Sequence, residues 1–148
     1  MSFASDCDAV PALFGASKRG LRALSAHDAA HVSKRASTQL TTSIDIDTAV
    51  KASQPAAARW DYAVGQRQGA LEIVHWIEVH SASGGNSIAQ MRNKLDWLRA
   101  WLHGKPLAAY PRVVVWVAAG KSTFNARDPK LRALAQAGLR FAGGHYAI

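Results

Sequence analysis

Acidic residues are scarce in this chain. Among 148 residues there are 10 Asp and Glu against 18 Lys and Arg, a formal net charge of +8 and a sequence pI near 10.2. Such a balance suits a polyanionic partner such as DNA or RNA, although a solvated protein that is merely basic has the same composition. Cysteine is rarer still: Cys7 stands alone, so no internal disulfide can form, which suits a reducing cytosol. Long apolar runs are missing too. No stretch approaches the roughly 20 residues that a membrane-spanning helix needs, and the start M-S-F-A-S-D-C-D has acids where a secretory signal carries bases. The expectation is a cytoplasmic protein without membrane contact. What is present is 49% hydrophobic residues, enough for one buried core in a chain of single-domain size.

Residues 1–38 are rich in Ala and Ser, with clustered bases at Lys18, Arg19, Arg22, Lys34 and Arg35. Leu21, Leu24, Ala29 and Val32 give only a thin apolar stripe, so this segment reads as a basic helical N-terminal extension to a domain at 39–148. Ser43 can cap a short helix through Ile44–Val50, although the alternation I-D-I-D also suits a strand. W-D-Y-A-V-G, Trp60 to Gly65, reads as a strand and Gln66–Gly69 as a turn. L-E-I-V-H-W-I-E-V-H, Leu71 to His80, is the strongest strand in the chain and closes a hairpin. Ser87 and Gln90 have capping-box spacing, and Ile88, Met91, Leu95, Leu98 and Leu102 form a helical stripe after them. Arg112–Gly120 is a continuous apolar run, as expected of an interior strand. Asp128 and Pro129 open a last helix with Leu131, Leu134 and Ala135 facing inward and Gly138 as its stop. Leu139–Ile148 supplies a short closing strand. The predicted fold is α/β or α+β: a central mixed sheet with a β-hairpin, flanked by helices.

Strand alternation puts Glu72, Val74, Trp76, Glu78 and His80 on one face. With Gln68 and Gly69 as the two loop residues, Asp61 falls opposite Trp76 and diagonal to Glu78, where two carboxylates can share one cation. A slip of one residue would turn Asp61 to the other face. Half of the ten acids, Asp45, Asp47, Asp61, Glu72 and Glu78, lie within this stretch of chain.

Asp61, a gap of sixteen residues, Glu78-Val79-His80 on the next strand, then a helix and a buried strand, resembles the PD-(D/E)XK restriction-endonuclease-like superfamily. The runs W-D-Y-A-V-G, W-I-E-V-H-S-A and K-L-D-W-L-R-A-W-L are also similar to a group of small uncharacterised bacterial proteins. The superfamily resemblance implies a restriction-endonuclease-like fold over residues 40–148. It also implies Mg²⁺ or Mn²⁺ held by Asp61, Glu78 and the Val79 carbonyl, with His80 in the position of the lysine that helps activate water. Histidine is not a permanent cation, so this departure leaves three outcomes: a nuclease with His80 as base, one whose lysine has moved, or a binding module without turnover. Lys94 on the following helix and Lys121 after the buried strand are the candidates for a moved lysine, with Gln90 one turn before Lys94. The resemblance also implies a further acid, for which Asp45 or Asp47 is the natural choice.

Arg59 and Arg67, interleaved with Trp60 and Trp76, resemble the way single strands are held on aromatic and basic side chains, and Lys121 with Ser122 can touch a phosphate backbone. Ala119–Ser122 does not complete a phosphate-binding loop, because the opening glycine would fall at Val115. His75 and His80 lie on opposite strand faces, and His27 and His31 lack a third ligand, so neither pair makes a metal site. Cys7 has no basic neighbour to activate it. The sequence therefore points first to a metal-dependent nuclease acting on DNA or RNA. The alternative is a catalytically inactive module of the same fold that binds nucleic acid, another protein or a second copy of the chain.

Overall fold

The computed structural model describes residues 2–125 and 127–148. In chain order the elements are α1 (Phe3–Asp8), β1 (Lys18–Arg19), α2 (Ala26–Ala29), β2 (Val32–Ser33), β3 (Gln39–Asp45) and α3 (Ile46–Lys51). There follow β4 (Tyr62–Gln68), β5 (Leu71–His80), α4 (Gly85–Leu102), β6 (Arg112–Ala118), α5 (Pro129–Gln136), β7 (Leu139–Phe141) and β8 (Tyr146–Ala147). Six strands form one mixed sheet in the order β1-β3-β4-β5-β6-β7. The first three contacts are antiparallel and the last two parallel, so the fold is α+β with helices flanking a mostly antiparallel sheet. Among the described residues no helix is long and apolar enough to cross a membrane.

Alternation along β5 divides the interior in two. Val74 and Trp76, with Trp60 and Trp116, pack under Met91, Leu95, Leu98 and Leu102 of α4, the stripe that the 3.6-residue period requires. Ile77, with Val64, Val115 and Val117, packs on the other side under Leu24, Val32, Tyr146 and Ile148. β6 is thus covered on both faces, which explains its unbroken apolar run.

Residues 2–38 do not stand off as an extension. Phe3, Cys7 and Leu13 are fully buried in the core under α4, while Leu24 and Val32 close the opposite face. The Phe3 ring meets Tyr110 edge-on at 5.5 Å, and its N–H donates to buried Glu72 at 3.2 Å.

Several local expectations shift. I-D-I-D is half strand and half helix: β3 runs to Asp45, and Asp45, not Ser43, caps α3 by accepting from Thr48 N–H at 2.9 Å. Gln66–Gln68 continue β4, and the turn is Gly69-Ala70, with Gly69 at φ +63° supplying the left-handed residue. The Ser87–Gln90 capping box is not made. α4 starts earlier, after Gly84, and the Ser87 hydroxyl donates back to the Ser83 carbonyl at 3.0 Å. Asp128 does cap α5, where Leu131 and Leu134 are buried, but Ala135 is exposed. The chain end forms two short strands: β7 extends the main sheet and β8 pairs in parallel with β2.

If the N-terminal segment is core, Phe3→Ala should cost about 3–5 kcal/mol of unfolding free energy, the usual result of truncating a buried phenylalanine. Denaturant titration measures this, and a loss near zero would show that α1 docks without contributing to stability.

Candidate active site

β4 and β5 pair so that Tyr62 lies opposite Ile77, which brings Asp61 opposite Glu78 instead of Trp76. The turn is displaced by one residue, but the face is the one expected, because both registers keep the same parity. Strand ends and helix starts fix the two acids reciprocally. The Asp61 N–H donates to Glu78 Oε1 at 3.0 Å, and Asp61 Oδ2 accepts from Val79 N–H at 3.0 Å. The Asp61 carbonyl accepts from Ile46 N–H at 2.8 Å and Asp47 N–H at 3.3 Å, so the first turn of α3 clamps its backbone. The His80 carbonyl accepts from Ala119 N–H at 3.1 Å on the β6 side. Strand alternation therefore points the Val79 N–H and carbonyl the other way, toward Asp61.

Lys94 closes the group. Its Nζ lies 2.9 Å from Glu78 Oε2 and donates to the Arg59 carbonyl at 2.9 Å. His80 Nδ1 lies 3.8 Å from the same Oε2, while His80 Nε2 is 2.7 Å from Gln90 Oε1. An amide oxygen only accepts, so Nε2 carries the proton of that bond. Gln90 and Lys94, one turn apart on α4, thus reach the end of β5 together, one holding the imidazole and the other the carboxylate.

The electrostatics follow from burial. Glu78 is 1% exposed, and desolvation, then the Asp61 carboxylate, push its pKa up from 4.5 to about 8 against the pull of Lys94. Asp61 is likewise raised from 3.8 to about 6 by burial, with Asp28 and Asp47 adding to the push and the Val79 N–H and Lys94 opposing it. Two acids held near each other above their ordinary range are short of positive charge.

The other sequence candidates are placed elsewhere. Asp45 is occupied as the α3 cap, and Asp47 pairs with Arg59 at 2.9 Å. Arg59 also donates to the Gln54 and Pro55 carbonyls, so it braces the α3–β4 loop and is not free for a phosphate. Arg67 lies at the far end of β4, six extended residues or roughly 20 Å from Asp61. Lys121 is exposed beyond β6, at the same end of the sheet as His80, and forms no hydrogen bond or ion pair among the described residues. Trp60 and Trp76 are fully buried and offer no face for base stacking. His75 is buried on the opposite face, bonded to Tyr146 and Gln66, with its pKa lowered to about 4 chiefly by burial. Asp28 was not legible as a neighbour of the site: it accepts from the Tyr62 hydroxyl at 2.6 Å, a contact across 34 residues without a sequence signal. Among the described residues no three His, Cys, Asp or Glu side chains converge as a metal cage. Any ion here would have to rely on two carboxylates and a backbone carbonyl, a set of hard oxygen donors that suits Mg²⁺ or Mn²⁺.

Because Glu78 and Asp61 hold their protons more tightly folded than unfolded, their contribution to stability is full below pH about 4 and is lost as the pH rises through about 6 and 8. His75, with a lowered pKa, acts in the opposite sense and only below its ordinary 6.5. Unfolding free energy should therefore fall between pH 6.5 and 8.5, and Glu78→Gln should flatten that slope. An equal slope in the variant would show that Glu78 is not the titrating group. Compared with protein-family models, curated proteins and solved structures, the chain finds no match.

Proposed function

We propose that this protein is a metal-dependent nuclease that hydrolyses phosphodiester bonds in DNA or RNA. The observation that carries the reading is the Lys94 ammonium 2.9 Å from Glu78 Oε2, with the Asp61 N–H donating to the other oxygen of the same carboxylate. On this reading the next helix would supply the lysine that E-V-H lacks. The order of three antiparallel strands, a helix and a parallel strand supports a restriction-endonuclease-like arrangement, and the net charge of +8 supports a polyanionic substrate. A lone, buried Cys7 thiol suits action in the cytoplasm.

Asp61, Glu78 and the Val79 carbonyl would hold Mg²⁺ or Mn²⁺, which when bound polarises a phosphoryl oxygen and acidifies water. Lys94 would offset the negative charge that develops on the phosphate, as a preorganised donor in a site of low dielectric. His80, with Nε2–H held by Gln90, keeps its Nδ1 lone pair on the side of Glu78, where it would take the proton from the attacking water.

A second reading has its own support: Glu78 is only 1% exposed and already faces an ammonium. A module that kept the fold and lost turnover would look like this, binding nucleic acid or a protein through its basic surface.

Plasmid, single-stranded DNA and RNA incubated with Mg²⁺, Mn²⁺ or EDTA separate the two. The nuclease reading expects metal-dependent cleavage that Glu78→Gln abolishes and that Lys94→Ala reduces by about 10²–10³-fold, the usual effect of removing one such donor. Metal-dependent cleavage that survives in Glu78→Gln would move the chemistry to another site. Salt-sensitive binding without cleavage would favour the module. Since protons compete with the ion for both carboxylates, Mn²⁺ affinity in calorimetry should rise from pH 6 to pH 8, and a flat affinity would remove the carboxylate pair as ligands.

A further inference from the structure

Two cavities share Arg67 as a lining residue, at the opposite end of the hairpin from Asp61. The first, of about 370 Å³, is walled by Leu71, Tyr110, Pro106 and Pro111 and carries the carboxylates of Asp6 and Glu72. The second, of about 590 Å³, is lined by Lys34, Thr38, Gln39 and Thr41 and has two cations and no acid. Arg67 forms part of the wall of both. Each volume falls within the ~300–1,000 Å³ range of small-molecule sites.

Register makes Arg67 the direct partner of Glu72 across the ladder, yet no ion pair joins them among the described residues. Glu72 instead turns its carboxylate to the Thr41 hydroxyl at 2.8 Å and the Phe3 N–H at 3.2 Å. Two local departures make that possible. A register shift in β3 between Leu40 and Ser43 leaves Thr41 out of the regular ladder, and Gly65 leaves it room, because a Cβ there would stand 2.5 Å from Thr41 Oγ1. Glu72 is thus held without Arg67, whose guanidinium makes no hydrogen bond or ion pair among the described residues. A carboxylate accepts about four hydrogen bonds, so Glu72 retains acceptor capacity toward the first cavity. Leu71, 63% exposed, presents its apolar surface at the same mouth.

We propose that the paired cavities bind a nucleotide, with the base between Leu71 and Tyr110 giving its N–H donors to Glu72 and the phosphate on Arg67 and Lys34. The apolar cavity with acceptors matches an aminated base, and the cationic cavity beside it matches the phosphate. The same chemistry is offered by a free mononucleotide and by the phosphorylated end of a strand. This site stands apart from the carboxylate pair, so its test does not depend on cleavage.

Backbone amide NMR of the labelled protein, titrated with AMP, adenosine, inorganic phosphate and a 5′-phosphorylated oligodeoxyadenylate, reads it directly. Shifts should gather at Thr38–Thr41 and Gln68–Glu72, with AMP bound more tightly than adenosine or phosphate alone. Arg67→Gln and Lys34→Gln, both on exposed side chains, should each weaken AMP by about tenfold, the scale of a lost charge-assisted bond, and leave adenosine unchanged. Tighter binding of the oligonucleotide than of AMP would assign the site to a strand end, and the reverse order to a free nucleotide. No shifts at these residues with either ligand, or AMP affinity unchanged in Arg67→Gln, would overturn the proposal.

Discussion

The carboxylate of Glu78 is buried at the end of β5 with a second carboxylate opposite it, and most of the surrounding structure answers that fact. An ionised acid in an apolar interior is costly unless it is paired and hydrogen-bonded. Two separate elements converge to meet the need: the residue just before β4 gives the Asp61 N–H, and α4 gives the Lys94 ammonium. Even so, burial and Asp61 outweigh these contributions and leave Glu78 raised to about 8. A protein that needed only a stable strand end could place an apolar residue here. The retained charge shortage fits a site that expects a cation.

The core explains why the geometry can be held. Trp60 and Trp76, both fully buried, flank the acids in sequence and anchor their backbones, while the α4 stripe seats the helix so that Gln90 and Lys94 point at the end of the sheet. Side chains one helical turn apart share a face, which is how one helix serves both the imidazole and the carboxylate. The Asp61 carbonyl, bonded to the first N–H groups of α3, adds a second fixed point. Asp45, Asp47 and Arg59 then act around the site as braces, and the positions suggested by acid clustering alone turn out to be structural.

Much of this was legible in the sequence, for reasons that can be named. The stripe Met91–Leu102 has one interpretation only, and parity along β5 is fixed by its alternation, so Glu78 and His80 shared a face whatever the register. Lys94 and Lys121 were both candidates for a displaced lysine, and of the two it is Lys94 that lies beside Glu78. What the sequence hid was non-local. Gln66–Gln68 have turn-like composition, but pairing with β5, and of Gln66 and Arg67 with β3 as well, extends them as strand and moves the turn to Gly69. Phe3, Cys7 and Leu13 make no regular stripe, since they belong to a six-residue helix and a tight turn whose burial comes from distant partners. Ser87 and Gln90 suited a capping box by spacing, yet α4 starts two residues before Ser87, and the Gln90 side chain meets His80 instead. Arg67, apparently near Trp60 in sequence, is carried to the other end of the hairpin by the extended chain.

On the proposed reading, Asp61 and Glu78 are poised for a divalent cation whose place the Lys94 ammonium takes. A crystal structure grown with Mn²⁺ at pH 8 and measured at an X-ray wavelength where manganese scatters anomalously tests it most directly. The expected result is an anomalous peak bounded by the Asp61 and Glu78 carboxylates, with Lys94 Nζ drawn away from Glu78 Oε2. No peak there, with the Lys94–Glu78 ion pair still closed, would contradict it and make the buried cluster a structural one.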